Sequence, residues 1–103
     1  LSPIEQVELL QKLYANNFGF RPQNIAAVKD SILLSSSEAG NLYGKTGTGC
    51  IDGMDVNGWF VGYAETQNNT LFFAANITAD NNAAGSNAAE ITRLILSKMD
   101  IWR

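Results

Sequence analysis

Histidine is missing from this chain altogether, and cysteine occurs once, at Cys50. Those two gaps exclude the commonest metal-ligand sets, any histidine general base and an internal disulfide. Charge is sparse as well: Lys, Arg, Asp and Glu make up 17% of the 103 residues, with a net charge of −3. The seven basic residues are scattered and form no basic stripe of the kind that nucleic-acid binders present. No apolar run approaches the ~20 residues that span a bilayer, and no basic segment leads into an apolar one as in a signal peptide. The first residue is Leu1, so the lack of a leader says nothing about where a parent protein resides.

Hydrophobic residues supply 46% of the chain, an ordinary globular share that argues against overall disorder. A chain of this length buries only about two thirds of its unfolded surface, so its stability alone would be marginal.

Periodicity predicts helix, helix, three strands, helix. The first helix spans 2–15, with Ser2 as N-cap, Pro3 in the first turn and Glu5 closing a capping box. Its apolar face is Ile4, Val7, Leu10, Leu13 and Tyr14. The second opens at Pro22 and covers about 23–34, ended by Ser35, Ser36, Ser37 and Gly40. Strands are expected at 41–48, 58–65 and 70–77, with 49–58 as a loop and Gln67-Asn68-Asn69 as a turn. The second strand is apolar on both faces and so sits in the middle of a sheet covered from two sides; the third is again apolar on both faces. Asn87 with Glu90 can cap a last helix whose apolar face is Ile91, Leu94, Ile95 and Met99. The expected class is α+β, an antiparallel sheet of three strands flanked by helices.

The chemically informative stretch is Tyr43-Gly44-Lys45-Thr46-Gly47-Thr48-Gly49. Ala39, Gly44, Lys45 and Thr46 satisfy a relaxed phosphate-loop spacing. Such a loop must follow a buried strand and open a helix, and neither flank does so here. A Lys-Thr-Gly strand is the other reading. Alternation puts Lys45 and Gly47 on one face and Thr46 on the other. Lys45 then offers a cation, Thr46 a hydroxyl if the strand twists, and Gly47 a bare surface for an acyl substrate. The next N–H, that of Thr48, can point at a developing oxyanion. As a bare tripeptide, Lys-Thr-Gly also occurs at unremarkable strand ends.

The surrounding sequence resembles the C-terminal part of class D β-lactamases, and equally the penicillin-sensor domains of BlaR-type receptors. The matching stretches are 1–10 (Leu-Ser-Pro-Ile-Glu-Gln-Val-Glu-Leu-Leu), 43–49, 58–65 (Gly-Trp-Phe-Val-Gly-Tyr-Ala-Glu), 72–77 (Phe-Phe-Ala-Ala-Asn-Ile) and 88–92 (Ala-Ala-Glu-Ile-Thr). The resemblance implies that residues 1–103 are the C-terminal portion of one β-lactamase/transpeptidase-like domain. It also implies an extracytoplasmic location and a β-lactam as the small-molecule partner, with no nucleic acid and no metal. In this family a serine is acylated by the β-lactam and a carboxylated lysine acts as base. Both belong to a Ser-x-x-Lys motif that no part of this chain contains, so the missing N-terminal part of the domain is the implied second partner, and no separate cofactor is implied.

The carry-over to this chain is short. Lys45 resembles the lysine that favours the substrate carboxylate and moves protons. Thr46 resembles the carboxylate-binding hydroxyl, the N–H of Thr48 one of two oxyanion donors, and Trp59 a Trp of the next strand that packs or touches substrate. Gly47 gives close approach. The family often places an Arg before the last helix, where this chain has Ala84-Gly85-Ser86-Asn87-Ala88, and Arg93 lies further on. Carboxylate recognition is then left to Lys45, Thr46 or the Thr48 hydroxyl. The resemblance implies hydrolysis of β-lactams through a serine acyl-enzyme as the expected function, with stable acylation in a sensor as the alternative and a remnant without catalysis as a third.

Overall fold

The computed structural model describes residues 1–102. Its elements are α1 (Pro3–Tyr14), α2 (Pro22–Ser31), β1 (Leu33–Ser37), β2 (Gly40–Ile51), β3 (Met54–Thr66), β4 (Thr70–Thr78) and α3 (Gly85–Lys98). The strands make one antiparallel sheet in the order β1-β2-β3-β4. The α+β class is as expected, with four strands where three were read.

The start of α1 follows its sequence signals. Ser2 Oγ accepts from the Glu5 N–H at 3.1 Å, and Glu5 Oε1 accepts from the Ser2 N–H at 3.0 Å. This reciprocal pair satisfies two donors that the helix cannot. The extra strand comes from 33–37, read as helix end and serine breaker. α2 stops at Ser31, and Leu33–Ser37 turns back along Gly40–Tyr43 as a short edge strand. Ser36 Oγ donates to Asn41 Oδ1 at 2.8 Å across that pair. A polar, two-sided edge strand has no apolar alternation, so periodicity alone passes over it.

The stretch 49–58 is a second correction. β2 continues to Ile51 and β3 starts at Met54, joined by Asp52-Gly53 alone. Both turn residues have positive φ, 52° and 77°, as a type I′ hairpin requires. The Asp-Gly pair carried that signal, and the surrounding glycines and asparagines masked it.

Cross-strand partners share a face, so register sorts the core. One face holds Leu42, Phe60 and Ala64, buried beneath α3 with Leu96 and Trp102. The opposite face stacks Tyr43 on Tyr63 at 4.7 Å between centroids, with Tyr14 of α1 edge-on to Tyr63 and Phe72. The inference that β3 is covered on both sides therefore holds.

α3 differs from expectation in two ways. It begins at Gly85 with Ala84 as a cap lacking a side-chain bond, so Asn87 does not start it. Its inner face is the small set Gly85, Ala88 and Thr92, followed by Leu96. Ile91, Leu94, Ile95 and Met99 point outward, between 44% and 62% exposed. Close backbone approach explains the choice, because a Cβ on Gly58 would lie 2.5 Å from the Ala84 carbonyl oxygen. Only a lean helix entry fits over that floor.

Denaturant unfolding of the chain should separate the two sides of α3. Leu96→Ala is expected to cost about 2–5 kcal/mol, and Leu94→Ala less than about 1 kcal/mol. Equal losses at both positions would contradict this packing.

Candidate functional site

β2 carries the candidate residues, and its ladder with β3 fixes what each can reach. Lys45 pairs with Val61, Thr46 with Phe60, Gly47 with Trp59 and Thr48 with Gly58. Lys45, Gly47 and Trp59 thus share the α1 side of the sheet. There a cleft of about 240 Å³ is bounded by Gln6, Lys45, Thr46, Gly47, Trp59 and Val61. Trp59 is half-buried and forms one wall of it. Gln6, on α1, escaped the sequence reading because it sits beside an apolar stripe and belongs to no motif.

Thr46 and Thr48 face α3 instead. A Cβ on Gly85 would come within 2.8 Å of Thr46 Cβ. Thr48 Oγ1 accepts a 2.9 Å hydrogen bond from the Gly85 N–H. Thr46 is exposed at the rim and borders both the Lys45 cleft and the cleft on the α3 side. Arg93 is exposed on α3 and borders a separate cleft with Leu34, Thr46, Phe60 and Ser86.

Main-chain direction alternates too. The Gly44 N–H donates away from β3, to the Ile32 carbonyl at 2.9 Å. Alternation turns the peptide groups of Thr46 and Thr48 the same way. β1 pairs only as far as Tyr43, so that edge is uncovered at both positions. Lys45 leans over it, its Nζ donating to the Thr46 carbonyl at 2.9 Å. One strand end therefore offers a cation, an outward main-chain donor and a side-chain-free surface.

Gly47 is informative because packing within the chain does not demand it. An added Cβ would have Trp59 Cβ at 3.9 Å as its nearest neighbour, an ordinary contact. At Gly44 the same atom would meet the Phe60 ring at 2.6 Å, and at Gly62 the Tyr43 carbonyl at 2.0 Å. Gly44 and Gly62 are needed by the fold, whereas Gly47 leaves room in front of the sheet.

The other polar candidates stay peripheral. No group of three or more His, Cys, Asp or Glu that could hold a metal exists among the described residues. Cys50 Sγ donates to Asp55 Oδ1 at 3.0 Å, and this acceptor raises the thiol above its ordinary range, away from nucleophilic use.

At the far end of β3 lies a cluster with no sequence motif. Glu65 Oε2 accepts from Lys29 Nζ at 3.0 Å and from the Tyr14 hydroxyl. The ammonium lies 5.3 Å from the Tyr43 ring centroid and 5.6 Å from that of Tyr14. Burial pushes the Glu65 carboxyl up, but the bonds from Tyr14 and Lys29 outweigh it and leave the group below the usual carboxylate range. The same bond to Glu65 raises Lys29. The cluster anchors α2 over an apolar cavity of about 320 Å³ lined by residues including Leu13, Ile25, Ile32 and Tyr63. Its members, Tyr14, Lys29, Tyr43 and Glu65, come from four elements, so no local spacing could have announced it.

Comparison with known proteins identifies the family. Residues 1–97 match the penicillin binding protein transpeptidase domain. The regulatory protein BlaR1 of Bacillus licheniformis is 52% identical over 102 residues, covering 99% of this chain and 17% of BlaR1. The solved C-terminal domain of the Bacillus licheniformis BlaR penicillin-receptor superposes with a TM-score of 0.92 at 51% identity, covering all of this chain and 42% of that one. FUS-1 (OXA-85), a class D β-lactamase from Fusobacterium nucleatum subsp. polymorphum, gives a TM-score of 0.84 at 33% identity, covering all of this chain and 43% of that one. The chain thus spans under a fifth of its curated relative and under half of the solved domains.

The Glu65 cluster predicts an acid-sensitive element of stability. A depressed folded pKa stabilises above the unfolded carboxylate value, and the effect is lost as pH falls through the folded value. Glu65→Gln should lower stability by about 1 kcal/mol at neutral pH, solvent screening at the 35% exposed Lys29 side chain limiting it. The difference should vanish in thermal melts taken well below the ordinary glutamate range. A deficit that persists there would assign it to packing.

Proposed function

This chain belongs to the penicillin binding protein transpeptidase domain family, and we propose that it forms the Lys-Thr-Gly wall of a β-lactam-sensing domain in a BlaR-type signal receptor. In this reading the complete domain is acylated by the antibiotic and remains acylated. The similarity to a regulatory protein and to a penicillin-receptor domain, each at about half identity, favours a sensor. The observation that carries the chemistry is the extended segment 45–48, which holds a cation, a bare glycine surface and an outward N–H at one uncovered edge.

The roles follow from that placement. A serine hydroxyl supplied by another part of the parent adds to the β-lactam carbonyl, and its proton passes to a base. The ring C–N bond then opens, the ring nitrogen takes a proton, and an ester to the serine remains. As the serine adds, negative charge grows on the carbonyl oxygen, which the Thr48 N–H faces across the open edge. Gly47 lets the acyl group lie against the peptide plane, with Trp59 as the side wall. Lys45 leaves its bond to the Thr46 carbonyl and turns its ammonium to the substrate carboxylate. The Thr48 hydroxyl is engaged by the Gly85 N–H behind the strand, so carboxylate recognition falls to Lys45 and to Thr46 at the cleft's rim. The receptor meets its antibiotic outside the cytoplasm.

Hydrolysis is the second reading, favoured by the likeness to a class D β-lactamase. The two part at the ester: a hydrolase releases it to water, whereas a sensor keeps it.

A fluorescent penicillin added to the complete domain should leave a covalent label that survives for hours, with no sustained nitrocefin turnover. Rapid loss of label with turnover would select the hydrolase. Lys45→Ala should slow labelling by about tenfold or more, the worth of one charge-assisted contact. Residues 1–103 alone should neither label nor turn over nitrocefin, because the nucleophile is elsewhere.

A further inference from the structure

We propose that Gly85, at the first turn of α3, is a positioning residue for the acyl-binding strand, acting through the Thr48 hydroxyl. The proposal rests on the β-lactam reading of 45–48 and adds residues to it that no motif includes.

Two contacts join α3 to that strand from behind, and a third braces its β3 partner. The Gly85 N–H donates to Thr48 Oγ1 at 2.9 Å. The Gly85 α-carbon lies so close to the strand that a Cβ would sit 2.8 Å from the Gly47 carbonyl oxygen and 2.9 Å from the Gly47 nitrogen. One step earlier in the chain, Ala83 and Ala84 press on Gly58, the cross-strand partner of Thr48. The segment between β4 and α3 is itself tied down, with the Ala83 N–H donating to the Asp55 carbonyl at 2.8 Å and Asn81 Oδ1 accepting from the Asp55 N–H.

This matters because the strand is otherwise weakly held at the point of use. β1 stops short of it, a bulge interrupts the ladder after Gly49, and glycines occupy 47 and 49. A free edge with two glycines can shift by fractions of an ångström at little cost. An oxyanion donor must be placed more tightly than that. The Gly85 N–H fixes the Thr48 side chain, and backbone-to-backbone contact fixes the Gly47–Thr48 peptide, whose N–H is the donor. The absence of a side chain at residue 85 is the condition for both.

The test uses the complete domain and four proteins: the parent, Gly85→Ala, Thr48→Val and Thr48→Ser. Labelling by a fluorescent penicillin is followed over a concentration series, which separates the limiting acylation rate from the half-saturating concentration. Gly85→Ala and Thr48→Val should lower the limiting rate by about ten- to a hundredfold, with half-saturation moving less than about threefold. Thr48→Ser, which restores the acceptor, should recover most of the loss seen with valine. Should Gly85→Ala not fold, the valine and serine pair decides. A valine variant that acylates within about twofold of the parent, or a serine variant no better than valine, would overturn the proposal. A loss seen mainly in half-saturation would overturn it too, assigning the hydroxyl to direct carboxylate binding. A parent domain that takes no label at all sinks the β-lactam reading itself, and the positioning role with it. Failure of the positioning role alone appears as a label-competent parent whose variants behave alike.

Discussion

Register between β2 and β3 decides where every functional side chain of this chain can go. The ladder runs without a slip from Gly40↔Thr66 to Gly49↔Asn57, and the Asp52-Gly53 turn closes it. A shift of one residue would send Lys45 beneath α3 and take Gly47 from the cleft, because side chains alternate with a period of two. Glycines enforce the pairing from within. Gly40 and Gly62 each sit where a Cβ would strike a carbonyl of the partner strand, so only the observed alignment puts a residue without a side chain at those two crossings. The turn at one end and close backbone contacts at the other thus specify the same answer.

α3 adds the second constraint. It is held to the sheet at its start by small residues and near its end by Leu96, which packs with Leu42, Ala64 and Trp102. The close approach at Gly58 and Gly85 is possible only where both partners lack bulk. The sheet's two sides therefore do different work. The α3 side supplies a firm backing, and the α1 side supplies a cleft and an aromatic stack. The segment 45–48 lies between them with one edge free.

The sequence announced these features unevenly. α1 was legible to its capping box because Ser2, Pro3 and Glu5 are local signals with local causes. β3 and β4 were legible because both faces are apolar over consecutive residues. The Lys-Thr-Gly segment was legible as a motif, and alternation alone put Lys45 and Gly47 together. What escaped depended on partners distant in the chain. β1 is polar and exists through its pairing with β2. The inner face of α3 carries no hydrophobic signature, because the sheet selects for small size at Gly85, Ala88 and Thr92. The Lys29–Glu65 pair and the Gly85–Thr48 bond join residues 36 and 37 positions apart, beyond any spacing rule.

The outward stripe of Ile91, Leu94, Ile95 and Met99 bears on how this polypeptide behaves as a material. Water wets these side chains poorly, so the stripe inclines the chain to adhere to surfaces and to itself. A polar replacement at Leu94 would keep these residues better dispersed, at little cost to the packing beneath α3.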